Sequence, residues 1–127
     1  MNKYSVMPTF KFSDNDILDI ISSAVYDIRY WGGIYDTNEY YAARDELNKE
    51  DRTYEDILYH MLKKGDKILM YDIEDEFETW DLTLDKLLNG IKLAIENKYW
   101  DGDIDTIDGE IGDIIFQYAL FEEIVFG

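Results

Sequence analysis

Carboxylates outnumber bases by more than two to one in this chain. There are 29 Asp and Glu against 12 Lys and Arg, a formal net charge of −17 on 127 residues. Any fold must leave that charge in water and still enclose a core. The apolar content allows it: hydrophobic residues make up 46% and aromatics 16% of the chain, where a disordered acidic tail would lack both. Like charges on a closed surface repel, so compactness costs stability that salt or lower pH restores. The same field turns away nucleic acid and anionic membranes and draws in basic surfaces. Direct binding to nucleic acid or to a membrane is not expected, and a basic protein partner is.

The length fits a single domain over residues 1–127. With no Cys there is no disulfide, thiolate ligand or thiol nucleophile. The opening MNKYSVMPTFKFSDND has no apolar core of signal-peptide length. No run approaches the roughly 18 apolar residues of a membrane span, so a cytoplasmic location is expected. Lys outnumbers Arg, and Ile, Tyr and Asn are plentiful, a bias expected of an AT-rich genome.

Residues 3–12 (KYSVMPTFKF) read as one strand, with Tyr4, Val6, Phe10 and Phe12 roughly alternating and Pro8 at an edge or bulge. Ser13 is placed to cap a helix over 14–28, with Asp14 and Asp16 at its positive end. Ile17, Ile20, Ile21, Ala24, Val25 and Ile28 form its apolar stripe. Gly32-Gly33 reads as a tight turn. Helices are expected over 37–48, capped by Thr37 or Asn38, and from Thr53 to Lys64, with Gly65 at the C-cap. Residues 67–73 and 77–81 read as a hairpin turning at Glu74-Asp75-Glu76. Thr83 caps the next helix, in which Gly90 is a tolerated interruption. A loop over 99–109 then leads into a last helix ending near Ile124. The expected order is β-α-α-α-β-β-α-α: an α+β domain whose small, mainly antiparallel three-stranded sheet is covered by about five helices.

Few groupings invite chemistry. Asp101, Asp103, Asp105, Asp108 and Glu110 alternate as in an EF-hand loop. With Asp101 first, however, position six is Thr106 where the sharp turn needs Gly, and position twelve is Gly112 where the bidentate Glu belongs. A solvated acidic loop at a helix start explains the run without a metal. His60, the only histidine, has no Cys and no spaced carboxylates with which to hold zinc, though a carboxylate brought to it in space would make an acid–base pair. With 29 acids, some pair always falls at glycosidase separation. No phosphate loop, nucleophile elbow or dinucleotide fingerprint is present. No enzyme activity, metal or cofactor is expected.

The acid itself is the leading functional signal. Duplex DNA carries one charge per about 1.7 Å of axis, and carboxylates at helical i, i+4 spacing lie about 5–6 Å apart. A rigid acidic protein can therefore imitate phosphates and plug a nucleic-acid channel. Candidate acids are Asp14, Asp16 and Asp19, then Glu74, Asp75, Glu76 and Glu78, then Asp101, Asp103, Asp105, Asp108, Glu110 and Asp113. The alternative is an interaction module or homodimer built on the aromatics Tyr26, Tyr30, Trp31, Tyr35, Tyr40 and Tyr41, with Trp31 as the contact and the charge serving only solubility.

Two stretches carry a resemblance. Trp80-Asp-Leu-Thr-Leu-Asp-Lys-Leu-Leu-Asn-Gly-Ile91 and the ending Ile114-Ile-Phe-Gln-Tyr-Ala-Leu-Phe-Glu-Glu-Ile-Val-Phe-Gly127, with the Tyr30-Trp31 step, are similar to segments of small proteins of phages and mobile elements in low-GC Gram-positive bacteria. Glu122 stands where that pattern has Gly, and Phe126 where it has Tyr. The resemblance supplies no catalytic residues. It implies a mobile-element origin, and with it an inhibitor of host defence, such as an anti-CRISPR protein acting on a basic host nuclease in the bacterial cytoplasm.

Overall fold

The structure, a computed structural model, describes residues 2–7 and 10–127. The first segment is two strands rather than one. β1 (Asn2–Met7) and β2 (Phe10–Ser13) run antiparallel, with Tyr4 opposite Phe12 and Met7 opposite Phe10. Doubling back gives each half a hydrogen-bonding partner, which a single strand outside the main sheet would lack. Pro8, expected at an edge or bulge, lies outside the described residues.

α1 (Asp14–Asp27) begins as its sequence requires. The Ser13 hydroxyl accepts from the Asp16 amide, and the Asp16 carboxylate accepts from the Ser13 amide, a capping box with Asp in the usual place of Glu. Ile17, Ile20, Ile21, Ala24 and Val25 are buried along it. A single 3-10 turn over Ile28–Tyr30 leads into β3 (Gly32–Ile34). The glycines expected to make a turn are thus extended and paired, Gly33 opposite Tyr71. They are needed for close approach: a Cβ on Gly33 would run into the Tyr71 ring.

α2 (Asn38–Glu46) and α3 (Tyr54–Lys63) are capped by Thr37 and Thr53, and Gly65 beyond α3 takes a φ of +92°. β4 (Ile68–Asp72) and β5 (Asp75–Leu82) complete an antiparallel sheet of order β3-β4-β5. The turn is Ile73-Glu74 rather than Glu74-Asp75-Glu76. The pairing slips just before it, from Tyr71 opposite Thr79 to Asp72 opposite Asp75, so Glu76, Phe77 and Glu78 bulge out of register.

α4 (Leu84–Glu96), capped by Thr83, and α5 (Gly109–Phe121), capped by Asp108, follow, with a 3-10 turn over Ile104–Thr106 in the loop between them. α5 packs between α1 and α4, touching each at a glycine. A Cβ on Gly112 would lie 2.9 Å from Ala24 Cα, and one on Gly90 would lie 2.8 Å from the Ala119 amide nitrogen. Gly90 is therefore a contact point as well as an interruption. The architecture is α+β, with five α-helices and two antiparallel sheets of two and three strands among the described residues. The expected three-stranded sheet exists, but its third strand is β3 and not the N-terminal segment. No helix among the described residues is long and apolar enough to cross a membrane.

Candidate functional site

The aromatic chosen as a contact residue is core. Trp31 is 2% exposed, stacks on Phe126 at 5.0 Å and meets Trp80 and Phe121 edgewise or tilted. Its indole N–H donates to Asp113 Oδ1 at 2.8 Å. Asp113, counted by sequence among the presented acids, is also buried. It accepts from the Tyr30 hydroxyl at 2.6 Å and from Gln117 Nε2 at 2.9 Å. Three donors replace the water that a carboxylate gives up on burial. Desolvation first, and the bond to Asp113 second, push the Tyr30 hydroxyl up to about 12, so it stays a donor across the physiological range.

Gln117 extends this centre to the chain end. Its Oε1 accepts the amides of Val125 and Phe126, both at 2.8 Å, and its Nε2 donates to the Phe126 carbonyl. That clamp lays Phe126 over Trp31. Sequence reasoning missed it, although a Gln on the apolar face of α5 was the visible sign. α5 stops at Phe121, short of the expected Ile124, because Glu122 turns left-handed with a φ of 58°.

The acids at the start of α1 are partly committed. Asp16 closes the capping box, and Asp14 accepts from the Tyr59 hydroxyl, which is 2.7 Å from that of Tyr4. Of the three, only Asp19 is exposed, the other two being half-buried.

The loop acids are exposed but partly engaged locally. Asp101 Oδ1 accepts from the Asp103 amide and the Thr106 hydroxyl, Asp103 Oδ1 from the Asp105 amide, and Asp108 Oδ1 from the Ile111 amide. Trp100, stacked on Phe12, anchors the loop through its indole N–H to Thr106 Oγ1 and the Asp103 carbonyl. Asp105 and Glu110 point to no such partner and stand exposed.

The hairpin tip has such a local bond, from the Phe77 amide to Asp75 Oδ1 at 3.1 Å. Glu74, Asp75, Glu76 and Glu78 are all exposed. None forms an ion pair among the described residues. Amid them Phe77 is 99% exposed and Ile73 is 43% exposed. The bulge that breaks the β4–β5 register is what throws Phe77 outward. Its position inside the run Glu74–Glu78 was the signal that it does not belong to the core.

These acidic places are not equally placed. The Ile73 amide bonds to the Trp31 carbonyl at 3.1 Å, while Gly109 lies against the Asp27 side chain. The hairpin tip and the start of α5 therefore both border residues 27–31, at the C-terminal end of α1. The acids at the start of α1 are a helix length away, about 20 Å at 1.5 Å per residue.

His60 faces the α2–α3 junction, where Glu46 Oε1 lies 2.9 Å from its Nε2 and 2.8 Å from Lys64 Nζ. The hydrogen bonds from Lys64 and then His60 hold Glu46 below the usual carboxylate range. An already ionised, Lys-paired carboxylate is a weak proton acceptor, so the pair is better suited to joining α2 and α3 than to acid–base work. No protein-family model, curated protein or solved structure matches this chain.

Proposed function

We propose that this protein is a non-enzymatic inhibitor that offers an acidic, nucleic-acid-like surface to a basic nucleic-acid-binding protein, such as a host defence nuclease. The observation that carries the proposal is the hairpin tip, where four exposed carboxylates with no ion-pair partner among the described residues surround a fully exposed Phe77. The carboxylates would stand in for phosphates against lysines and arginines. Phe77 would add what phosphate lacks, an apolar anchor that fixes one register on the partner. Asp105, Asp108 and Glu110 continue the acid along the border of residues 27–31. The rival homodimer centred on Trp31 loses its contact residue, because Trp31 and Asp113 satisfy each other inside the fold.

The test is capture from bacterial lysate by the tagged protein, identification of the retained protein, and measurement of its affinity in purified form. A nucleic-acid-binding partner is expected. Its affinity should fall steeply with salt, and duplex DNA should displace it. The triple substitution Glu74→Gln, Glu76→Gln, Glu78→Gln should weaken binding at least tenfold, about 1.4 kcal/mol. Retention of only acidic or metabolic proteins, or binding indifferent to salt and DNA, would overturn the proposal.

A further inference from the structure

Of the four clefts described on the surface, three are lined by carboxylates: Asp101 in one, Glu39, Asp66 and Asp81 in another, and Glu110 and Asp113 in a third. The fourth has none. This cleft, of about 400 Å³, lies between the end of α1, the start of α3 and the β3–β4 edge. Tyr26, Tyr54 and Tyr71 supply aromatic walls, and Ile34 and Ile73 aliphatic ones. Its one charged lining residue is Arg29. In a chain of net charge −17, a carboxylate-free cleft holding a cation is the exception to be explained.

Arg29 is positioned and left available. Its Nε donates to the Tyr26 carbonyl at 3.1 Å, and the guanidinium lies 5.6 Å from the centre of the Tyr26 ring. No ion pair among the described residues engages it, so its terminal nitrogens remain free for a planar acceptor. The neighbouring Asp72 is turned to the Glu74 amide at 2.9 Å. The walls are equally built. Gly33 lets the Tyr71 ring sit against the backbone, where a Cβ would collide with it. Burial pushes the Tyr54 hydroxyl up to about 12, leaving it neutral and able to donate.

We infer that this cleft binds a small aromatic carboxylate, the ring held between Tyr26, Tyr54 and Tyr71 and the carboxylate on Arg29. The volume lies in the range of small-molecule sites, as does the combination of apolar walls with one or two polar groups. Asp36, close enough to raise the Tyr54 hydroxyl, and Asp72 oppose an anionic ligand, while the field of acids farther off decays within about 8 Å at physiological salt. A direct guanidinium contact is screened far less.

The test titrates the intact protein with 3-phenylpropionate and, separately, its neutral analogue 3-phenylpropanamide, following backbone amide resonances. Saturable shifts are expected at Gly32, Gly33 and Ile73, with the amide binding about tenfold more weakly. Arg29→Gln should erase the difference between the two probes while resonances of α4 and α5 stay in place. Tyr54→Phe should weaken the carboxylate probe alone. Inorganic phosphate, offered as a third probe, should not compete. Absence of saturable shifts at the cleft, equal binding of acid and amide, or displacement by phosphate alone would each overturn the assignment.

Discussion

Two regions of this molecule combine aromatic rings with carboxylates and use them in opposite ways. In the centre under the chain end, one acid, Asp113, takes three donors from Trp31, Tyr30 and Gln117. In the hairpin tip, four acids have no cation among the described residues, and Phe77 stands in water. Sequence gives both the same signature. What separates them is the supply of donors: a carboxylate enters a core only when enough N–H and O–H groups converge on it. The centre draws two of its three donors, Tyr30 and Trp31, from a segment 83 and 82 residues away in sequence. The tip draws only on its own turn.

The largest expected effect tests the centre. Asp113→Ala leaves the Trp31 indole N–H without its acceptor in the core and loosens the Gln117 clamp. It should destabilise the fold by about 3 kcal/mol, the range for removing one partner of a buried charged network. Asp113→Asn keeps one acceptor oxygen and should cost about half as much. Urea unfolding measures both. A cost below about 0.5 kcal/mol for the alanine variant, ordinary for surface positions, would place Asp113 with the tip acids after all.

A second effect of the centre appears at high pH. Tyrosine in an unfolded chain ionises near 10, whereas Tyr30 and Tyr54 are pushed up to about 12, both by desolvation first. Tyr59 is raised as well, by desolvation and then its bond to Asp14. A raised tyrosine favours the folded state fully below pH 10, and that contribution is lost as pH climbs toward 12. Tyrosinate absorbance should therefore rise in two stages, the later one coinciding with unfolding. In Asp113→Ala, Tyr30 loses its bond to the carboxylate but keeps its desolvation, so it should ionise earlier than in the unaltered protein while still above the free value. A single transition near 10 with the fold intact would contradict the network.

The contrast also explains what the sequence revealed. The caps at Ser13, Thr53 and Thr83 stand where the sequence places them, and of the two candidates Thr37 and Asn38 it is Thr37 that caps α2, because a cap joins residues two or three apart. The apolar stripe of α1 was legible for the same local reason. β3 was not, since Gly32-Gly33 has turn composition and becomes a strand only through β4 and the Tyr71 ring. Trp31 and Asp113 could not be removed from the site by composition, since their partners lie far along the chain. The exposed acids of the tip and the loop needed only their own neighbourhood, and sequence located them. The exposure of Phe77 depended on a register slip that alternation does not foresee.

A smaller effect concerns the hinge between α5 and its clamped end. Glu122 holds a left-handed φ of 58°, a conformation that costs a residue with a Cβ about 1 kcal/mol and glycine nothing. Its side chain returns little, a 3.5 Å contact with Asn89. Glu122→Gly should raise stability by about 0.5–1 kcal/mol, and it removes one charge from a crowded surface. Loss of stability would show that the clamp by Gln117 needs a stiff approach more than a relaxed one.

The smallest expected change in stability belongs to the tip, and it sharpens the comparison most. Phe77→Ser removes a large apolar side chain that touches almost nothing, so unfolding should shift by less than about 0.5 kcal/mol. An aromatic residue kept in water contributes nothing to folding and adds a liability for association. Its worth must then lie in a contact outside the fold. Phe126→Ser, one stacking contact from Trp31, is the matched control. It should cost about 2–3 kcal/mol, the lower part of the range for large-to-small core changes because Phe126 is only partly buried. If both substitutions cost the same in urea, the two regions differ less than their exposures indicate. If Phe77→Ser leaves stability alone but abolishes capture of a basic partner, the tip is the working surface and the centre is its support.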